Sequence, residues 1–163
     1  VTSSVSTDKN VSKKNTGVLP ITDKQMTRFN ITLQAGVNFV LQCLEMMWGG
    51  ELFIPKIPSY RILDVAKAVA PNCKHEIVGI RPGEKLHEEM ITETDSLNTI
   101  EFKDYYVILP VILQELWEPE KFRLESNDHP GHYCDIGFKY NSGSNPNFLT
   151  IEEIKTLIEE TLD

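Results

Sequence analysis

The sequence predicts an α/β fold in which short strands are mixed with about four helices, and two patterns predict it. Apolar residues recur at helical spacing in several separate stretches, and short β-branched or aromatic runs bounded by turn residues lie between them. That interleaved order fits a mixed layer fold better than a helix bundle or a β-sandwich.

The patterned part begins near Val18, whereas residues 1–17 are polar and rich in Ser, Lys and Asn. This first segment is expected to be poorly ordered unless it docks onto something. After Val18-Leu19-Pro20-Ile21 comes a turn at Thr22-Asp23 and then the run Thr27–Ile31. Thr32 suits an N-cap, and Leu33, Val37, Val40, Leu41, Leu44 and Met47 fall on one helical face up to the stop at Gly49-Gly50. Glu51–Pro55 reads as a short strand ended by proline. Ser59 is expected to cap a second helix through Ile62, Val65, Ala66 and Val69, closed by Pro71. A strand near 75–80, a third helix from about Pro82 to Ile91 and a strand at Tyr105–Leu109 follow. The region at about 111–149 has little period and is read as an irregular arm, lid or subunit contact. Thr150 and Glu153 form a capping box for a last helix whose stripe is Ile151, Ile154, Leu157, Ile158 and Leu162.

At 163 residues the chain has room for one domain with a core, here assigned to residues 18–163. The net charge of −8 and the single adjacent basic pair, Lys13-Lys14, argue against nonspecific nucleic-acid or membrane-surface binding. Three distant cysteines, Cys43, Cys73 and Cys134, fit a reduced, cytoplasmic setting. No apolar run approaches the roughly 20 residues a membrane span needs, and the first residues do not read as a secretory signal. The chain does not start with Met and is expected to be a fragment.

The stretch Ile80–Ile91 combines a strand end, a Pro-Gly turn and a charged segment. With a helix starting at Pro82, Arg81 would sit at its mouth, beside free N–H groups and the positive end of a dipole that favours phosphate. Residue types alone also allow a solvated surface loop. The sequence contains no Gly-x-Gly-x-x-Gly, phosphate loop, His-Glu-x-x-His or Cys-x-x-Cys. His129 and His132, with Asp128 and Cys134 nearby, are the one close histidine pair, and no metal site is expected there.

Three blocks carry a resemblance: Pro20–Phe29, Ile80–Ile91 and, more weakly, Tyr140-Asn141-Ser142-Gly143. Together they resemble the carboxyl-terminal part of the inverting UDP-N-acetylglucosamine 4,6-dehydratases. These lyases belong to the extended short-chain dehydrogenase/reductases and serve pseudaminic-acid and capsule polysaccharide biosynthesis. The resemblance runs from about Gly17 to the end. It implies a substrate-binding portion without a complete Rossmann fold, UDP-N-acetylglucosamine or a related UDP-sugar as ligand, and assembly as a homo-oligomer. It also implies UDP contacts from Arg28 and Arg81 through guanidinium–phosphate pairing, and a ribose contact from Glu84. By residue type alone, Arg28 is equally a salt-bridge partner and Glu84 a helix N-terminal charge.

Val5-Ser6-Thr7-Asp8-Lys9 is similar to that family's active-site strand, which makes Thr7, Asp8 and Lys9 the catalytic candidates. There Asp8 would act as acid at the leaving hydroxyl and Lys9 would handle the proton at C5, the residue linked to inversion. The sequence departs from the family in one respect that matters: no tyrosine has a lysine four positions later. The Tyr-x-x-x-Lys segment and the amino-terminal NADP-holding half are therefore missing, residues 1–17 read as a remnant of the active-site strand plus a polar linker, and this chain alone is not expected to bind NADP or turn over. The alternative is a noncatalytic UDP-sugar-binding or interaction module.

Overall fold

The computed structural model describes residues 17–111, 117–125 and 129–162. The described residues form two compact units. One is drawn from Val1–Phe29, Pro58–Glu88 and Asn145–Asp163, the other from Asn30–Ile57 and Glu89–Ser144.

In the first unit, strands β1 (Val18–Ile21), β2 (Thr27–Phe29), β4 (Ser59–Arg61) and β5 (Lys74–Ile77) make two small sheets. β1 pairs in parallel with β5, and β2 pairs antiparallel with β4. Helix α2 (Ile62–Val69) packs on β1 and on helix α4 (Ile151–Leu162). The buried core is small: Leu19, Ile21, Ala66 and Ala70, with Ile62 and Cys73 against it. α4 starts with the expected capping box, since Glu153 N–H donates to Thr150 Oγ1 at 3.2 Å and Thr150 N–H to Glu153 Oε2 at 2.7 Å. The two bonds that Thr150 donates to Glu153 Oε2, from its N–H and from Oγ1 at 2.8 Å, hold the Glu153 carboxyl below its ordinary pKa.

The second unit contains helix α1 (Leu33–Met46) and strands β3 (Leu52–Pro55), β6 (Glu89–Ile91), β7 (Thr99–Glu101) and β8 (Tyr105–Ile108). It also holds a 3₁₀ turn at Asp95–Asn98, helix α3 (Pro119–Glu125), and strands β9 (His132–Tyr133) and β10 (Tyr140–Asn141). An antiparallel sheet runs in the order β3-β8-β7-β9, and β10 pairs with β6. Its core is aromatic: Phe102, Tyr105, Trp117 and Phe122 are buried with Ile100, Val107 and Leu109. Phe122 lies 4.9 Å from Trp117 and 5.2 Å from Trp48, ring centre to ring centre. The region expected to be an irregular arm thus contributes α3, β9, β10 and two core rings.

Thr32 caps α1 as expected, accepting from Ala35 N–H at 3.2 Å. Two expectations fail. Ser59 does not cap α2; it is fully buried in β4, where its Oγ accepts from Asn145 Nδ2 at 2.9 Å, and α2 begins three residues later without a side-chain cap. The helix expected over Pro82–Ile91 is absent: Pro82 and Gly83 form a turn, and residues 89–91 are β6. Gly83 has φ +85°, a left-handed conformation that a helix does not contain, and Glu84 N–H donates to Arg81 O at 3.0 Å. Proline then glycine with positive φ at the two central positions is a type II turn.

Candidate functional site

The candidate residues that the structure describes, Arg28, Arg81 and Glu84, belong to the first unit. Thr7, Asp8 and Lys9 lie outside the described residues. Around Arg28 the geometry is a clasp between strand β2 and the bend Leu86–Glu88. Thr27 N–H donates to Leu86 O at 3.1 Å, Phe29 N–H donates to Glu88 Oε2 at 2.9 Å, and Thr27 Oγ1 lies 2.8 Å from His87 Nδ1.

The Arg28 guanidinium closes this clasp. Its Nη1 donates to Thr27 O at 2.6 Å and to Leu86 O at 3.3 Å, Nη2 reaches Met26 Sδ at 3.3 Å, and Nε is 3.6 Å from Glu88 Oε1. Only 11% of the Arg28 side chain is exposed, against 45% for Glu88. A fork-shaped donor serving two carbonyls and a carboxylate fixes one segment to the other. Tyr60, opposite Arg28 in the β2–β4 register, has its hydroxyl pKa raised, first by burial and then by the Glu88 carboxylate. It is therefore a neutral hydroxyl at neutral pH rather than a base.

Arg81 presents the opposite case. It is exposed at the first corner of the type II turn, and its backbone N–H donates to Glu84 Oε2 at 3.0 Å. The turn is thus closed twice, once through the backbone and once through the Glu84 side chain. Without a helix at this position, the dipole half of the phosphate argument falls away, because aligned N–H groups and a macrodipole need a helix. What remains is a cation on a rigid turn whose flank is the Leu86–Glu88 clasp.

Sequence reasoning singled out Arg28 and Arg81; the structure adds Thr27, Tyr60, His87 and Glu88 as the neighbours of the Arg28 segment. The charge block Lys85–Glu89 was the available signal, and reading it as helix hid the pairing with β2. The Tyr140–Gly143 block lies in the second unit and ties that unit together. Tyr140 Oη accepts from Ile57 N–H at 2.8 Å and donates to Ile57 O at 2.9 Å, while Gly143 N–H donates to Asn141 Oδ1 at 2.7 Å.

The second unit contains the histidine pair. His129 and His132 line a shallow hollow of about 320 Å³ with Lys56, Glu101, Phe102 and Lys103. Lys56 Nζ is 2.6 Å from Glu101 Oε1. Among the described residues no group of three or more His, Cys, Asp or Glu is placed to hold a metal. Cys134 is no thiolate: burial first, then the Glu101 carboxylate, pushes its pKa up to about 11. Among the described residues the parallel strands β1 and β5 form a two-stranded sheet, and the sequence has no glycine-rich phosphate fingerprint.

Comparison with known proteins gives a consistent picture. The family model described as polysaccharide biosynthesis protein matches residues 4–110. The chain is 48% identical over 143 residues to the UDP-N-acetylglucosamine 4,6-dehydratase (inverting) of Campylobacter jejuni subsp. jejuni serotype O:2, which covers 88% of this chain and 42% of that protein. It is 31% identical over 144 residues to a UDP-glucose 4-epimerase of Rickettsia canadensis, covering 86% of this chain and 40% of the relative. The X-ray structure of Pen from Bacillus thuringiensis superposes with a TM-score of 0.74 at 26% identity, over 99% of this chain and 47% of the other. The chain thus spans less than half the length of these relatives. No helix among the described residues is long and apolar enough to cross a membrane.

Proposed function

The chain belongs to the polysaccharide biosynthesis protein family, and we propose that it is the UDP-sugar-binding part of an inverting UDP-N-acetylglucosamine 4,6-dehydratase. The observation that carries this reading is the Arg81–Glu84 turn, an exposed guanidinium on a corner closed by two hydrogen bonds. A diphosphate offers paired oxygens, and arginine meets them with two parallel N–H donors. Arg81 therefore takes the diphosphate. Arg28 adds its charge while holding the clasp, and Glu84 accepts from a ribose hydroxyl through Oε1, since Oε2 serves the turn.

Binding orients the sugar and screens it from water; the chemical step falls to other groups. Asp8 would protonate the leaving C6 hydroxyl and Lys9 would take the C5 proton, which the adjacent ketone makes acidic. On this reading the isolated chain, without a Tyr-x-x-x-Lys pair, binds without turning over.

A second reading, a noncatalytic UDP-sugar-binding module, is favoured by the missing Tyr-x-x-x-Lys pair. Both readings predict UDP binding. Calorimetry should show UDP binding to the chain, and Arg81→Ala should weaken it by about tenfold or more, the worth of a charge-assisted pair. No heat at millimolar UDP would remove nucleotide recognition altogether. Incubation with UDP-N-acetylglucosamine and NADP separates the catalytic claims: 4-keto product from the isolated chain would overturn its inactivity. The nearer sugar follows from competition, with UDP-N-acetylglucosamine expected to outbind UDP-glucose.

A further inference from the structure

The chain carries a net charge of −8, yet the hollow of the second unit is lined by Lys56, Lys103, His129 and His132 with a single carboxylate, Glu101. Three segments bring these side chains to one end of the β3-β8-β7-β9 sheet. Lys56 directly follows β3, and Lys103 stands in the tight turn from β7 to β8, where Phe102 N–H donates to Tyr105 O at 2.9 Å. His129 leads into β9, whose His132 pairs with Glu101 of β7.

The frame of the hollow is fixed by its neighbours. Lys56 Nζ lies 2.6 Å from Glu101 Oε1 and 4.8 Å from the centre of the Tyr106 ring, and Lys56 N–H donates to Asp104 O at 3.0 Å. Between the two histidines, Gly131 N–H donates to Arg123 O at 2.9 Å and Gly131 O accepts from Arg123 Nη1 at 3.1 Å. A Cβ at Gly131 would stand 2.5 Å from Ile100 Cγ2 and 2.8 Å from Phe102 Cε1, so only glycine lets this segment approach β7 so closely.

Glu101 balances Lys56. Among the described residues the side chains of Lys103, His129 and His132 have no ion-pair or hydrogen-bond partner, which leaves one uncompensated ammonium and two imidazoles around a preformed concavity. A concavity lined by one sign of charge concentrates counter-ions of the other sign. An ammonium binds phosphate as a point charge from any direction, and imidazole N–H groups add directed bonds. At about 320 Å³ the hollow sits at the small end of ligand pockets, which run from roughly 300 to 1,000 Å³, so it suits a small anion. A metal cation is the poorer occupant, because such sites need three or more protein ligands and no such group is placed among the described residues.

We propose that this hollow binds phosphate, as the free ion or as a small phosphomonoester, through Lys56, Lys103, His129 and His132. The site belongs to the second unit and Arg81 to the first, so the proposal stands or falls separately from UDP recognition.

NMR of the isotope-labelled chain at neutral pH tests it, with inorganic phosphate and methyl phosphate as probes and sodium chloride at matched ionic strength as the blank. Running the same titration on Arg81→Ala removes any response from the Pro82-Gly83 turn. In both proteins the ring resonances of His129 and His132 should shift saturably with millimolar phosphate and not with chloride. Lys103→Ala and His132→Ala replace exposed side chains, and each should weaken binding about tenfold or more. Lys103→Arg should keep it, as should Lys74→Ala, an exposed site of the first unit. If His132→Ala fails to fold, Lys103→Ala in the β7–β8 turn decides alone. Shifts that grow linearly with phosphate, that chloride reproduces, or that Lys103→Ala leaves unchanged overturn the proposal. Tighter binding of methyl phosphate assigns the upheld site to phosphate esters, and equal or weaker binding assigns it to the free ion.

Discussion

The two units are held together in different ways. The first, with Arg28 and Arg81, has a small aliphatic core, and its segments are joined by polar bonds between residues far apart in sequence. The second is packed by rings around Phe122 and joined by strand ladders. Polar bonds contribute little each and depend on geometry, whereas buried rings contribute by area and tolerate small shifts. The ligand reading falls on the unit whose geometry is set by directional bonds, which is where a guanidinium can be aimed.

Breaking each unit at its own kind of bond tests the contrast. Phe122→Ala should have the largest effect, about 3–5 kcal/mol of stability, because a fully buried ring leaves a cavity. Urea unfolding followed by tryptophan fluorescence measures it, and UDP binding by the folded fraction should survive. Arg28→Ala should cost about 2–3 kcal/mol, since charged hydrogen bonds to two carbonyls are lost while the exposed Glu88 can rehydrate. Here the contrast sharpens, because UDP affinity should fall together with stability; calorimetry on the folded variant reads it. Gly83→Ala should cost about 1–2 kcal/mol, as alanine resists a φ of +85°. It should weaken UDP severalfold, with the melting of the second unit unaltered.

The smallest effect concerns pH. The Cys134 thiol is raised from 9.0 to about 11, so the folded state holds its proton more tightly than the unfolded state. Its contribution to stability is complete below pH 9 and is lost as pH rises towards 11. Iodoacetamide at pH 8 should modify Cys134 roughly a hundredfold more slowly than an unperturbed thiol. Mass spectrometry of the alkylated peptide checks this, and a normal rate would mean that the second unit opens readily.

Legibility in the sequence followed the range of the interactions. The Thr32 cap, the Thr150–Glu153 box and the strand at Tyr105–Ile108 could be read because caps and runs act within a few residues. Ser59 looked like a cap by the same local rule, but its partner is Asn145, 86 residues away. The Pro82–Ile91 segment was misread because Pro-Gly serves both a helix start and a turn. Pairing of Leu86–Glu88 with β2 decided between them. Arg28 and Arg81 were legible as residues through the family's blocks, while their different states, one clasped and one exposed, were not.

By itself, then, the sequence determined the α/β character, the long amphipathic helices and the residues that carry the family likeness, because periodicity and motif are written along the chain. Only the tertiary structure decided that Ser59 is a buried tie, that Arg28 is held by two carbonyls and Glu88, and that Leu33, Val37, Val40, Leu44 and Met47 are exposed while Phe39 and Met46 pack against the core. The physical reason is that burial and hydrogen-bond partners are properties of pairs distant in sequence, which local spacing does not specify.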